Sequence, residues 1–136
     1  METETIKEGG KILAIIIRSG KVMKSQFFSP EDFPLRIGAI SKTKGEKIQA
    51  HLHNEPIRTV RTTQEFLYLE KGKVKVSIYN NQGKTIAKRI LKQGDKILSA
   101  LGGHGFEILE DTVFLKLNKD PTLDMTRQKP TWSRLK

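Results

Sequence analysis

Cysteine is absent from the 136 residues. That excludes disulfides, thiolate metal sites, iron–sulfur clusters and a cysteine nucleophile, and it fits a reducing compartment. No apolar run approaches the ~20 residues needed to cross a bilayer. The opening Met1-Glu2-Thr3-Glu4 is acidic and polar, unlike the basic and then apolar start of a secretory signal. A soluble, cytoplasmic protein with no membrane partner is expected. Aromatic residues make up only 7% of the chain and are not interleaved with basic ones, as a base-stacking platform requires. Thus 25 Lys and Arg against 15 Asp and Glu give a formal charge of +10, yet nucleic acid is not the expected partner. The basic residues are scattered from Lys7 to Lys136 without a block of like charge. The same charge suits a small anionic ligand, such as a phosphate-bearing substrate. Gly-X-Ser-X-Gly elbows, phosphate-cradling glycine loops and paired-carboxylate signatures are also missing.

What is present reads as strands. Lys11 to Ile17 is an isoleucine-rich run closed by Ser19-Gly20, and Lys21 to Phe28 resumes it, so a hairpin is expected. Ser29-Pro30-Glu31-Asp32 has the form of a short helical start stopped by Pro34. Arg36 to Ser41 and Lys47 to His53 follow as strands. Further on come Gln64 to Glu70, the cleanly alternating Lys73 to Tyr79, and Lys84 to Leu91 after the turn Asn80-Asn81-Gln82-Gly83. Lys96 to Leu101, Gly105 to Leu109 and Thr112 to Leu117 close the series. About ten short strands with frequent turn signals predict an all-β sandwich or barrel. Residues 1–118 are expected to form that single domain, and 119–136, with two prolines and Trp132, a basic tail.

All three histidines fall into one pattern. In a strand from Lys47 to His53, Ile48, Ala50 and Leu52 face one way while Gln49, His51 and His53 face the other. That second face is either a ligand set or the wet side of a half-buried sheet. Glu65 brings a carboxylate at the start of the next apolar run, or else faces Lys73 or Lys75 across a hairpin. His104, between Gly102-Gly103 and Gly105, is a third imidazole or a histidine buried against backbone. Three imidazoles and a carboxylate suit a divalent transition metal: iron, manganese, nickel, cobalt or zinc. Gln49 lines the pocket or its rim. Arg58 and Arg61, on the polar stretch from Asn54 to Thr63, clamp an anion or are solvated. Phe106 and Tyr68 are read as core, with Phe106 on the face of His104 and so a candidate wall.

These residues resemble the cupin superfamily. Its first motif, Gly-X5-His-X-His and then Glu-X6-Gly, is matched by Gly45, His51, His53, Glu65 and Gly72. Its second, Gly-X5-Pro-X-Gly-X2-His, is followed by Gly94 and Gly102, with Ala100 at the proline position and His104 one residue early. Eleven residues separate His53 from Glu65, where the family has three or four, and neither Ile108 nor Leu109 is the family's asparagine. The resemblance implies a jelly-roll β-barrel, commonly a homodimer, with His51, His53, Glu65 and His104 on one metal. It implies three functions between which the sequence does not choose. One is a small metal-dependent enzyme of the dioxygenase or isomerase type. The second is a metal-free isomerase or epimerase acting on a nucleotide sugar, with the histidines as acid and base. The third is a non-catalytic cupin that binds or senses a small ligand.

Overall fold

A computed structural model of the chain describes residues 1–54 and 64–118. Among these the architecture is all-β, with antiparallel pairing throughout and no helix. The first strand, β1 (Thr3–Glu8), lies in the acidic opening, which carries no apolar run. Only Ile6 of β1 is buried, so its place is fixed by pairing with β2 (Lys11–Ile17) through the two-residue turn Gly9-Gly10. Both turn glycines have positive φ, 57° and 76°, the backbone twist a tight hairpin requires. The register slips between Ile6 and Lys7, leaving Leu13 as an extra residue on β2. Its carbonyl accepts from Ala100 N at 2.8 Å and Leu101 N at 3.2 Å.

The remaining strands are β3 (Gln26–Phe27), β4 (Gly38–Ala39), β5 (Glu65–Lys71), β6 (Lys73–Tyr79), β7 (Thr85–Lys92), β8 (Lys96–Ser99), β9 (Gly103–Ile108) and β10 (Val113–Asn118). They form a five-stranded sheet in the order β1-β2-β8-β5-β10, a three-stranded sheet β7-β6-β9, and a small pair β3-β4. The core lies between the two larger sheets. Ala14, Ile16, Leu67, Leu69 and Ile97 from one meet Val74, Val76, Ile78 and Leu91 from the other. β2 is buried on both faces, because Ile15 and Ile17 with Leu98 pack outward under Phe28, Phe33, Leu35 and Ile37. Two hydrogen bonds hold that cover in place. Ile37 N donates to Ser29 Oγ at 2.8 Å, and Leu35 N to the buried Gln64 Oε1 at 3.2 Å.

Four sequence expectations are corrected. The stretch Lys21 to Phe28 does not form a hairpin with β2, whose neighbours are β1 and β8; only Gln26–Phe27 pairs, with Gly38–Ala39. The strand from Arg36 to Ser41 contracts to those two residues. The helical start at Ser29 is a single turn, Phe33 N donating to Pro30 O at 3.3 Å. Lys47 to His53 is not a strand: every residue from Ile40 to Asn54 is exposed, and no described strand pairs with it. Alternation prepares a segment for a sheet edge but cannot supply the partner. No helix among the described residues is long and apolar enough to cross a membrane.

Candidate functional site

Period-two alternation on β5 turns Glu65, Leu67 and Leu69 inward together. The last two enter the core, while Glu65 sits at the end of the row, only 8% exposed. From the opposite sheet β9 turns His104 and Phe106 inward, opposite Ile78 and Val76 of β6. The imidazole and carboxylate therefore meet across the gap between the sheets, with His104 Nε2 3.2 Å from Glu65 Oε1. β10 adds Lys116, whose Nζ stands 3.2 Å from Glu65 Oε2. Aromatic rings line the same gap: Phe106 lies 5.4 Å from the His104 ring and 5.1 Å from Phe114, centroid to centroid.

Burial pushes the Glu65 carboxyl up, but the adjoining His104 and then Lys116 outweigh it and hold the group below its ordinary 4.5. Glu65 is thus an anion at neutral pH. At 3.2 Å His104 Nε2 lies close to Glu65 Oε1 but is not aligned as a hydrogen bond. Among the described residues, Glu65 Oε1 has no hydrogen-bond partner, and neither does Ser99 Oγ, also buried.

Of the residues singled out by sequence, the structure brings Glu65, His104 and Phe106 together. Phe106 shares the face of His104, as expected. Glu65 does not face Lys73 or Lys75; its cation is Lys116, and Lys75 pairs with Glu107 at 3.3 Å. Gln49, His51 and His53 lie on the exposed segment. The two imidazoles there are still side by side, 4.9 Å between centroids, with His51 Nδ1 2.8 Å from Gln49 O. They do not join Glu65 and His104, and the described residues contain no group of three or more His, Cys, Asp or Glu placed to hold a metal. Arg58 and Arg61 lie outside the described residues, as does the tail. Sequence reasoning missed Lys116, Phe114 and Ser99. Lys116 and Phe114 alternate with the exposed Val113, Leu115 and Leu117, so the only available signal was that one strand carries a lysine and a phenylalanine on one face.

Glu65 and His104 supply two donors of a kind a transition metal accepts, short of a full ligand set among the described residues. A bare buried carboxylate oxygen and an imidazole nitrogen 3.2 Å apart have the separation of two donors each about 2.1 Å from one ion. Lys116 on the other oxygen opposes a second positive charge. Fold and site define an all-β protein of antiparallel sheets, with a carboxylate–imidazole–ammonium cluster between them. Comparisons with protein-family models, curated proteins and solved structures find no match to this chain.

Proposed function

We propose that the chain is a small jelly-roll domain of the cupin kind that binds one divalent transition metal. Glu65 and His104 are the seated half of its ligand set, and His51 and His53, on the exposed segment, are the other half. The observation that carries this reading is the bare Glu65 Oε1 facing His104 Nε2 at 3.2 Å in a buried corner. Lys116 balances the charge on the other oxygen, but a buried carboxylate oxygen without a hydrogen bond still has lone pairs open to a donor or a cation. Supporting it, β9 lies at the edge of its sheet among the described strands, next to this corner, and Lys47 to His53 carries strand alternation with Ile48 and Leu52 exposed at 63% and 96%. Strand addition along β9 with the histidine face inward would bring the two histidines towards His104 and turn Ile48 and Leu52 to the outer face. Held by these residues, a metal would supply Lewis-acid polarisation of a small ligand's oxygen or activation of water or dioxygen. The net positive charge favours an anionic ligand. By the cupin resemblance, the assembly is a homodimer.

The test is elemental analysis by mass spectrometry of untagged protein purified without chelator. Close to one equivalent of iron, manganese, nickel, cobalt or zinc per chain is expected. Metal-free protein that also refuses added divalent ions would end this reading.

One observation favours a second reading. Lys116 Nζ at 3.2 Å already compensates the Glu65 carboxylate, so no dication is needed for charge balance. His104 then acts as the acid or base in a metal-free site, on a ligand such as a nucleotide sugar. Turnover of nucleotide-diphosphate sugars by metal-free protein would favour it.

A further inference from the structure

Glu65 and Ser99 occupy directly opposed positions of β5 and β8. Side chains at such positions leave the same face of the sheet, with Cβ atoms about 5 Å apart. The face is the inner one. Ser99 follows the inward Ile97 and the outward Leu98, and its other cross-strand partner is the core residue Ala14. In this corner two buried polar atoms have no hydrogen bond among the described residues, Glu65 Oε1 and Ser99 Oγ. Bare buried polar atoms are rare, and two on facing positions point to one shared partner. Its chemistry is constrained. An ionised carboxylate only accepts, whereas a serine hydroxyl both donates and accepts. A group that donates to Glu65 and accepts from Ser99 satisfies both. An anion without a proton cannot donate to the carboxylate, and an ammonium, though it could donate to both groups, has no lone pair to take up the serine proton. A hydroxyl has both.

We propose that Ser99 is a positioning residue of the Glu65–His104 site, holding the carboxylate through a bound hydroxyl that bridges Ser99 Oγ and Glu65 Oε1. The hydroxyl is that of water or of an alcohol on a small ligand. This rests on Glu65 and His104 as the working pair, not on the presence of a metal. Phe106 and Phe114 give the same corner an apolar wall, so a ligand that presents a hydroxyl on a hydrocarbon frame fits it.

The experiment is a carbon-13 NMR titration of the Glu65 carboxyl in the ligand-free chain, in Ser99→Ala and in Ser99→Thr. Loss of the serine should shift the Glu65 midpoint upward and lower the melting temperature, because the anion loses a fixed donor; threonine should restore both. If Ser99 only fills space, deleting a bare hydroxyl leaves the midpoint unmoved and the melting temperature equal or higher, and the proposal is overturned. A crystal structure with Ser99 bonded directly to Glu65 and nothing between also overturns it. Glycerol serves as the alcohol probe. Perturbation of the Ser99 and Glu65 signals in the wild type but not in Ser99→Ala identifies a ligand hydroxyl, and silence in both identifies water. A chain that takes no metal yet shows the Ser99→Ala shift loses the metal reading and keeps this one. A metal-loaded chain without the shift does the reverse.

Discussion

His104 and Glu65 meet nitrogen to oxygen at 3.2 Å although they belong to different sheets. Each is delivered by the alternation of its own strand, so their meeting depends on how the sheets face each other and not on any local turn. That makes the pair sensitive to the packing behind it and gives its ionisation a part in the stability of the fold.

The first prediction concerns pH. Glu65 is held below 4.5 in the folded chain, so the unfolded chain binds its proton more readily. Its stabilising contribution is therefore complete above the unfolded value and is lost as pH falls through the folded one. Wild-type urea midpoints should drop on acidification below about pH 4.5 more steeply than those of Glu65→Gln. At neutral pH the variant should be less stable by about 1–3 kcal/mol. Parallel pH curves for the two proteins would remove Glu65 from the linkage.

A second prediction tests the far end of the same sandwich. Asp95, 5% exposed, accepts from Ser19 N at 2.9 Å, Lys92 N at 2.8 Å and Arg18 Nη1 at 3.0 Å. Arg18 also donates to Ile90 O at 2.6 Å, so one carboxylate ties the end of β2 to the β7–β8 turn. Asp95→Ala leaves two backbone N–H groups and a guanidinium short of an acceptor. It should cost about 2–4 kcal/mol in urea unfolding. A loss under about 1 kcal/mol would mean that water replaces the carboxylate there.

These cases show what the sequence could and could not reveal. β6 was legible because Val74, Val76 and Ile78 alternate with polar neighbours and all three enter the core. β1 was not, because a strand with Ile6 as its only buried residue is recruited by its hairpin and not by its own pattern. For Lys47 to His53 the reverse holds: the pattern is present and the partner is not. Glu65 and His104 were visible as titratable residues at motif spacing. Lys116 was not, because a lysine in an alternating strand reads as a solvent-facing residue until the opposite sheet shows that its face is the inner one. Ser99 is hidden for a related reason. A small hydroxyl between apolar residues signals nothing until its partner on the facing strand is known.

A third prediction concerns how His104 is aimed. Gly102 has φ +73°, and a Cβ there would run into the carbonyl oxygen of Tyr79, whose strand pairs with β9. Gly102→Ala should cost about 1–3 kcal/mol from backbone strain. It should also displace β9 enough to move the His104 ring resonances in the NMR spectrum. An unchanged ring environment at reduced stability would show that β9 is positioned by its ladder to β6 alone.

The last prediction asks whether the two halves of the ligand set belong together. In the structure the segment from Ile40 to Asn54 is exposed throughout, and among the described residues its hydrogen bonds are local or to Ser25. Amides from Lys47 to His53 should therefore exchange with deuterium almost as fast as an unfolded chain in metal-free protein. If His51 and His53 join Glu65 and His104, a divalent ion must pull this segment against the domain, and its new backbone bonds should slow exchange there by at least roughly tenfold. The effect should vanish in His104→Ala, which removes a seated ligand without touching the segment. Protection that persists in His104→Ala would mean that His51 and His53 bind the ion by themselves on the surface. Fast exchange in a metal-loaded wild-type chain would restrict the ion to Glu65 and His104 and remove the histidine pair from the site.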